Sequence, residues 1–168
     1  MTTIDDAGAQ LPEGRFVGRQ AFVSGVRSAI HAAAREGWSQ LLLCDADFVD
    51  WPLGEREVID AFNAWAGRGR QLRLLARDYG PLRLQHPRFV QWRTTWSHIV
   101  DARVWAGAAP GELPTAIWSA HWTLDLLDTE RCSGISSHER ARAVALHERL
   151  EAAWQRGVPG FPASVLGL

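Results

Sequence analysis

The chain has 168 residues, 46% hydrophobic and 22% charged, the proportions of one globular domain large enough to bury a core without disulfides or metal. All 18 basic residues are arginine, which excludes any chemistry that needs a lysine: Schiff bases, phosphate-loop lysines and lysine general bases. The net charge of −1 offers no overall attraction to nucleic acid or to an anionic membrane, so neither is expected as a partner.

Cys44 and Cys132 are the only thiols and make no disulfide framework, which suits a cytoplasmic protein. Residues 1–13 are acidic and polar, unlike a signal peptide, and are expected to be a frayed tail before a single domain over 14–168. No apolar run reaches the roughly 18 residues of a membrane-spanning helix.

Within 21–35, Phe22, Val26, Ala29, Ile30 and Ala33 recur at helical spacing and Gly37 supplies a stop, predicting a first amphipathic helix. Leu41, Leu42, Leu43 and Cys44 form a continuous apolar run, as in a strand buried on both faces. A second helix is predicted over 55–66, with Val58, Ile59, Phe62, Trp65 and Ala66 on one face and Gly67 past its end. A second buried strand follows over 71–77, completing a right-handed βαβ unit with parallel strands.

The stretch 81–88, broken by Pro87, predicts one irregular turn. From Phe89 the pattern reads as short β segments, 89–92, 96–100, 104–106 and 115–119, which would add antiparallel members to the sheet. Ser136 and Glu139 have capping-box spacing ahead of a helix that carries Ala143, Leu146, Leu150, Ala153 and Trp154 and ends at Gly157. The uncharged tail 158–168 is apolar enough to dock. The fold class is therefore α/β, a mixed sheet with a parallel βαβ core and antiparallel strands in its second half, flanked by helices.

Nine tryptophans stand beside one tyrosine; most are expected to pack the core, with the run from Trp92 to Trp122 dense enough to form an aromatic platform. Asp45, Asp47 and Asp50 follow the first buried strand, where loop capping is the expectation over a cation site. No metal or cofactor motif occurs. His138 and His147, nine positions apart, would fall on opposite sides of one helix. His98, Asp101, Arg103 and His121 could assemble an acid–base site if the segments around His98 and His121 pair.

Two passages carry a family resemblance. The run AWAGRGRQLRLLARD, residues 64–78, resembles the helix-to-strand passage of the phospholipase D-like superfamily, and TTWSHIVDAR, residues 94–103, resembles its HxKxxxxD signature strand. On that signature Asp101 matches the aspartate, whereas Thr94 stands for the nucleophilic histidine and Trp96 for the lysine. The chain is also similar to proteobacterial domains of this superfamily with an eroded signature, some of them fused to acetyltransferases. The resemblance implies half of a phospholipase D-like protein, and without lysine even a dimer could not rebuild the phosphodiesterase site.

The expected function is then a non-catalytic binding or interaction domain. Arg73, Arg77, Arg93, Arg103 and Trp96 would receive an anionic small molecule or a partner protein, and the apolar tail would allow a homodimer. The alternative is a phosphate-ester hydrolase in which His98 and His121 serve as base and acid, Asp101 orients one of them and Arg103 binds the substrate.

Overall fold

The computed structural model describes residues 10–163. Its elements are β1 (Gly14–Val17), α1 (Arg19–Glu36), β2 (Gln40–Cys44), α2 (Arg56–Trp65), β3 (Gln71–Ala76), α3 (Gly80–Gln85), α4 (Pro87–Thr95), a 3₁₀ turn (Ser97–Ile99), β4 (Val100–Val104), β5 (Thr115–Trp118), β6 (Thr123–Asp128), β7 (Ser133–Ser137), α5 (Arg140–Arg156) and β8 (Val158–Pro159). The eight strands form one open sheet in the order β1-β7-β6-β5-β2-β3-β4-β8. Strands β2, β3 and β4 run parallel, and the remaining pairings are antiparallel.

The continuous apolar runs of β2 and β3 arise because helices cover both faces of the sheet centre. Alternate residues Leu41, Leu43, Leu72, Leu74 and Ala76 join the core beneath α1, α2 and α4. Their neighbours Leu42, Cys44 and Leu75 pack with Ala116 against Leu146, Leu150, Ala153 and Trp154 of α5. The result is three layers, with α5 the one helix on its side among the described residues. Helix α1 ends where Gly37 takes the left-handed conformation and its N–H, like that of Trp38, returns to the Ala33 carbonyl, as expected for a glycine stop.

The α/β class and mixed sheet stand, with corrections to individual elements. Segment 89–92 is helical: Pro87 opens α4 at its first turn, where a missing N–H costs nothing, and Pro81 does the same for α3. Strand β4 is a third parallel member rather than an antiparallel addition, and β1, β6 and β7 were not foreseen. The capping box does not form, since Ser136 lies in β7 and Glu139 occupies the N-cap without a side-chain bond. Of the expected tail, residues 1–9 lie outside the described residues, while the Pro12 carbonyl accepts the Trp122 indole N–H at 2.9 Å. No described helix is long and apolar enough to cross a membrane.

Asp45, at the end of β2, organises the following loop. Its Oδ2 accepts the Phe48 N–H at 2.7 Å and the Asp47 N–H at 3.3 Å, and its Oδ1 accepts the Thr115 hydroxyl at 2.6 Å. Burial pushes this carboxyl above the ordinary aspartate range, against the pull of those bonds. The native state therefore holds the proton more tightly than the unfolded chain does, and the group's contribution to stability falls as pH rises through its folded value. Asp45→Asn keeps the acceptor oxygen and adds a donor for Thr115. We expect urea unfolding to show the stability difference moving in the variant's favour from about pH 4 to about pH 7; a trend in the other direction would mean that the carboxylate, not the acid, is the form the loop prefers.

Candidate functional site

The residues singled out from sequence do not converge. His98 is exposed on the 3₁₀ turn ahead of β4, Asp101 is exposed on β4, and His121 lies in the β5–β6 turn, its ring stacked on Trp38 at 5.5 Å between centroids. Strand β5 pairs with β2 and β6, not with β4. Two strands intervene, so the His98 and His121 segments stand about 14 Å apart across the sheet at ordinary strand spacing.

The arginines are divided between the two faces. Arg73 and Arg103 lie on the α5 side and bracket Trp154, their guanidinium carbons 5.1 and 4.6 Å from its ring centroid. Arg73 also meets Glu151 at 3.3 Å, and Arg103 donates to the Trp154 carbonyl at 2.9 Å. Arg93 is buried on the other side, donating through Nε to the Phe161 carbonyl at 3.0 Å, and burial lowers its pKa. Arg77 is half-buried beyond β3. The Trp96 indole donates to Asn63 Oδ1 at 3.3 Å. Arg73, Arg93 and Arg103 thus brace packing, and the four arginines form no single anion pocket. Thr94 and Trp96 sit on α4 and its C-cap, so the passage compared with a signature strand is strand only from Val100 onward.

A stretch without carboxylates lies elsewhere. Residues 79–100 contain no Asp or Glu, and of their basic residues Arg88 and His98 are exposed, Arg83 is half-buried, and Arg93 and His86 are buried. This segment builds α3, α4 and the 3₁₀ turn, and α4 packs beside α2. The groove between α2 and α4 is lined by Ile59, Asn63, Arg88, Gln91, Trp92 and Thr95 and encloses about 250 Å³. Helical spacing sorts the side chains of α2: Ile59 and Asn63 face this groove, while Glu57 and Asp60 line a separate depression beside His31 and Arg35 of α1. Glu55 is engaged by Arg27, whose two nitrogens bind its carboxylate at 2.7 and 2.6 Å. Arg88 is exposed and spends one nitrogen on the Gly54 carbonyl at 2.9 Å, and Arg56 is exposed at the first turn of α2. The edge of the fold at α2 and α4 therefore combines guanidinium groups, neutral hydrogen-bonding side chains and a tryptophan floor, with no carboxylate in the groove among the described residues.

No family model and no curated protein matches the chain. Among solved structures it is similar to TrmBL2, described as an archaeal chromatin protein with a novel mode of DNA binding, at a TM-score of 0.62 and 12% identity. The match covers 87% of this chain and 53% of that one, so this chain spans about half the length of the neighbour. The likeness is one of fold.

This neighbour corrects two expectations. Nucleic acid was set aside on the charge total, yet a DNA-binding chromatin protein shares this fold. The function expected from sequence, a phospholipase D-like module for an anionic ligand or a protein partner, or alternatively a phosphate-ester hydrolase, is displaced by the same finding. A total of −1 says little about a surface on which charges are sorted by element. Arg56, Arg88, Asn63 and Gln91 were overlooked in the sequence, although the absence of carboxylates over 79–100 was there to be read.

Proposed function

We propose that this domain binds DNA through the α2–α4 face. The observation that carries the reading is the carboxylate-free groove flanked by Arg56 and Arg88, on a fold shared with a DNA-binding chromatin protein. Arginine forks suit phosphate oxygens, and Asn63, Gln91 and Thr95 supply the neutral hydrogen bonds that position a backbone without reading its sequence. The binding is non-specific in character, and with few charges engaged its salt dependence is shallow, about tenfold between 50 and 200 mM salt for two phosphate contacts. A kinship with the phospholipase D-like superfamily belongs to this proposal as fold ancestry only, supported by the parallel β2–α2–β3 unit and by Asp101 on β4.

The test is fluorescence anisotropy of a labelled duplex at about 50 mM salt, where a dissociation constant of roughly 1–100 μM is expected. Arg56→Ala with Arg88→Ala should weaken binding about tenfold or more and reduce the slope of log K against log salt by about two. Gln91→Glu, at an exposed helical site that leaves the fold intact, places a carboxylate in the groove and should weaken binding similarly. Absence of binding at low salt, or equal binding by all three proteins, would overturn the proposal.

A further inference from the structure

The opposite side of the sheet holds a second site. A cavity of about 630 Å³ opens between the end of β5 and the first half of α5, lined by Trp118, Ala120, His138, Arg140, Ala143, Val144, His147 and Glu148. His138 lies before α5 begins, so the helical wheel that would separate it from His147 does not apply, and both imidazoles reach the same cavity. The volume falls in the range of small-molecule sites, which combine an apolar lining with a few placed polar groups.

The walls are held in position. The Trp118 indole donates to the Ala143 carbonyl at 2.9 Å and meets the His147 ring at 4.6 Å between centroids. Glu13 accepts both the His138 backbone N–H at 2.9 Å and its ring Nδ1 at 2.6 Å, which fixes that imidazole at the rim. Trp118, Ala143 and Val144 give the apolar surface. Two opposite charges complete it: neither Arg140 nor Glu148 has a hydrogen bond or ion pair among the described residues. Eight positions apart on one helix, their Cα atoms are separated by about 12 Å. Two extended residues span roughly 7 Å, so a dipeptide bridges the pair when the two flexible side chains lean together over the remaining distance of about 5 Å.

We propose that this cavity binds a short peptide with free termini, of dipeptide length and bearing an apolar side chain. Arg140 takes its carboxylate, Glu148 takes its ammonium group, and Trp118 and Val144 receive the side chain. A single anion would leave Glu148 facing it unfavourably, and an uncharged apolar ligand would bury both charges without a partner. The site is independent of the α2–α4 face, from which the sheet separates it.

Isothermal titration with phenylalanyl-leucine tests this, alongside its N-acetylated and C-amidated forms. The free dipeptide should bind with saturable heat at millimolar concentration or below, and each capped form should bind about tenfold more weakly. Arg140→Ala should erase the preference for a free carboxylate while keeping that for a free amine, and Glu148→Gln should do the reverse. Both positions are exposed, so the variants fold. No binding by the free dipeptide, equal binding by the capped forms, or variants that weaken all three ligands alike would overturn the assignment.

Discussion

Gly134→Ala is expected to disrupt the antiparallel half of the sheet. A Cβ at this position in β7 would stand 2.1 Å from the Asp125 carbonyl oxygen and 2.8 Å from the Leu126 Cα, both backbone atoms of the adjoining β6. The contact lies beside the irregular step in register between Leu126 and Asp128, the kind of close backbone approach that glycine marks in a strand interior. Overpacking a core with a movable side chain costs about 1–3 kcal/mol; here the obstructing atoms are the ladder itself, so relief requires β6 and β7 to separate. A loss of about 3 kcal/mol or more is expected in urea unfolding followed by tryptophan fluorescence, a large share of the roughly 5–15 kcal/mol that stabilises a domain. Two other glycines calibrate the result. Gly25→Ala meets only the Leu124 Cδ1 methyl at 2.9 Å, the end of a flexible side chain, and should cost about 1 kcal/mol. Gly107→Ala has no neighbour nearer than 4.0 Å and should lie within about 0.5 kcal/mol of the parent. A Gly134 variant as stable as the Gly107 variant would mean that the β6–β7 register is other than described.

What the sequence made legible follows from where each element is buried. Helices α1 and α2 show one apolar stripe each, and β2 and β3 read as unbroken apolar runs because both of their faces are covered, so pattern and environment agree. Agreement fails where a short apolar segment fits either period. Phe89, Val90 and Trp92 suit a strand or a helix, and the proline that decides between them starts α4 instead of interrupting it. Strand β7, with the sequence SGISS, has little intrinsic strand preference and is held by its partners β1 and β6, which no local pattern reveals. The site was harder for a related reason. Arginine identity could be read, but not that Arg73 and Arg103 would clasp Trp154 or that Arg93 would be buried against Phe161. The tryptophans behave mainly as core: Trp38, Trp51, Trp65, Trp92, Trp122 and Trp154 are buried, although Trp92 also floors the α2–α4 groove, and the half-buried Trp118 lines the cavity beside α5. His138 and His147 were assigned to one helix, an error of a single boundary that concealed a shared pocket.

Phe161→Ala should have the second large effect, because one ring ties the last described segment to three elements. Phe161 is 3% exposed, lies nearly parallel to Tyr79 at 4.8 Å and to Phe89 at 6.5 Å, and has the guanidinium carbons of Arg83 and Arg93 at 4.8 and 5.6 Å from its centroid. Around it, the Gly160 N–H bonds the Ala102 carbonyl, Arg93 Nε bonds the Phe161 carbonyl, and Thr94 bonds the Ala163 carbonyl. Deleting a buried phenylalanine costs about 3–5 kcal/mol through lost transfer energy and the cavity left behind. The lower part of that range is expected, since Arg93 Nη1 is buried without a hydrogen-bond partner among the described residues, and water entering the vacated space can supply one. Phe161→Leu separates the contributions: it restores most of the volume but not the cation–π contacts, and should recover more than half of the loss. Urea unfolding of the two variants measures this directly. A loss below about 1 kcal/mol for Phe161→Ala would show that the strap of β8 and Phe161 opens independently of the rest, the behaviour of a low-stability local unit rather than part of the cooperative core.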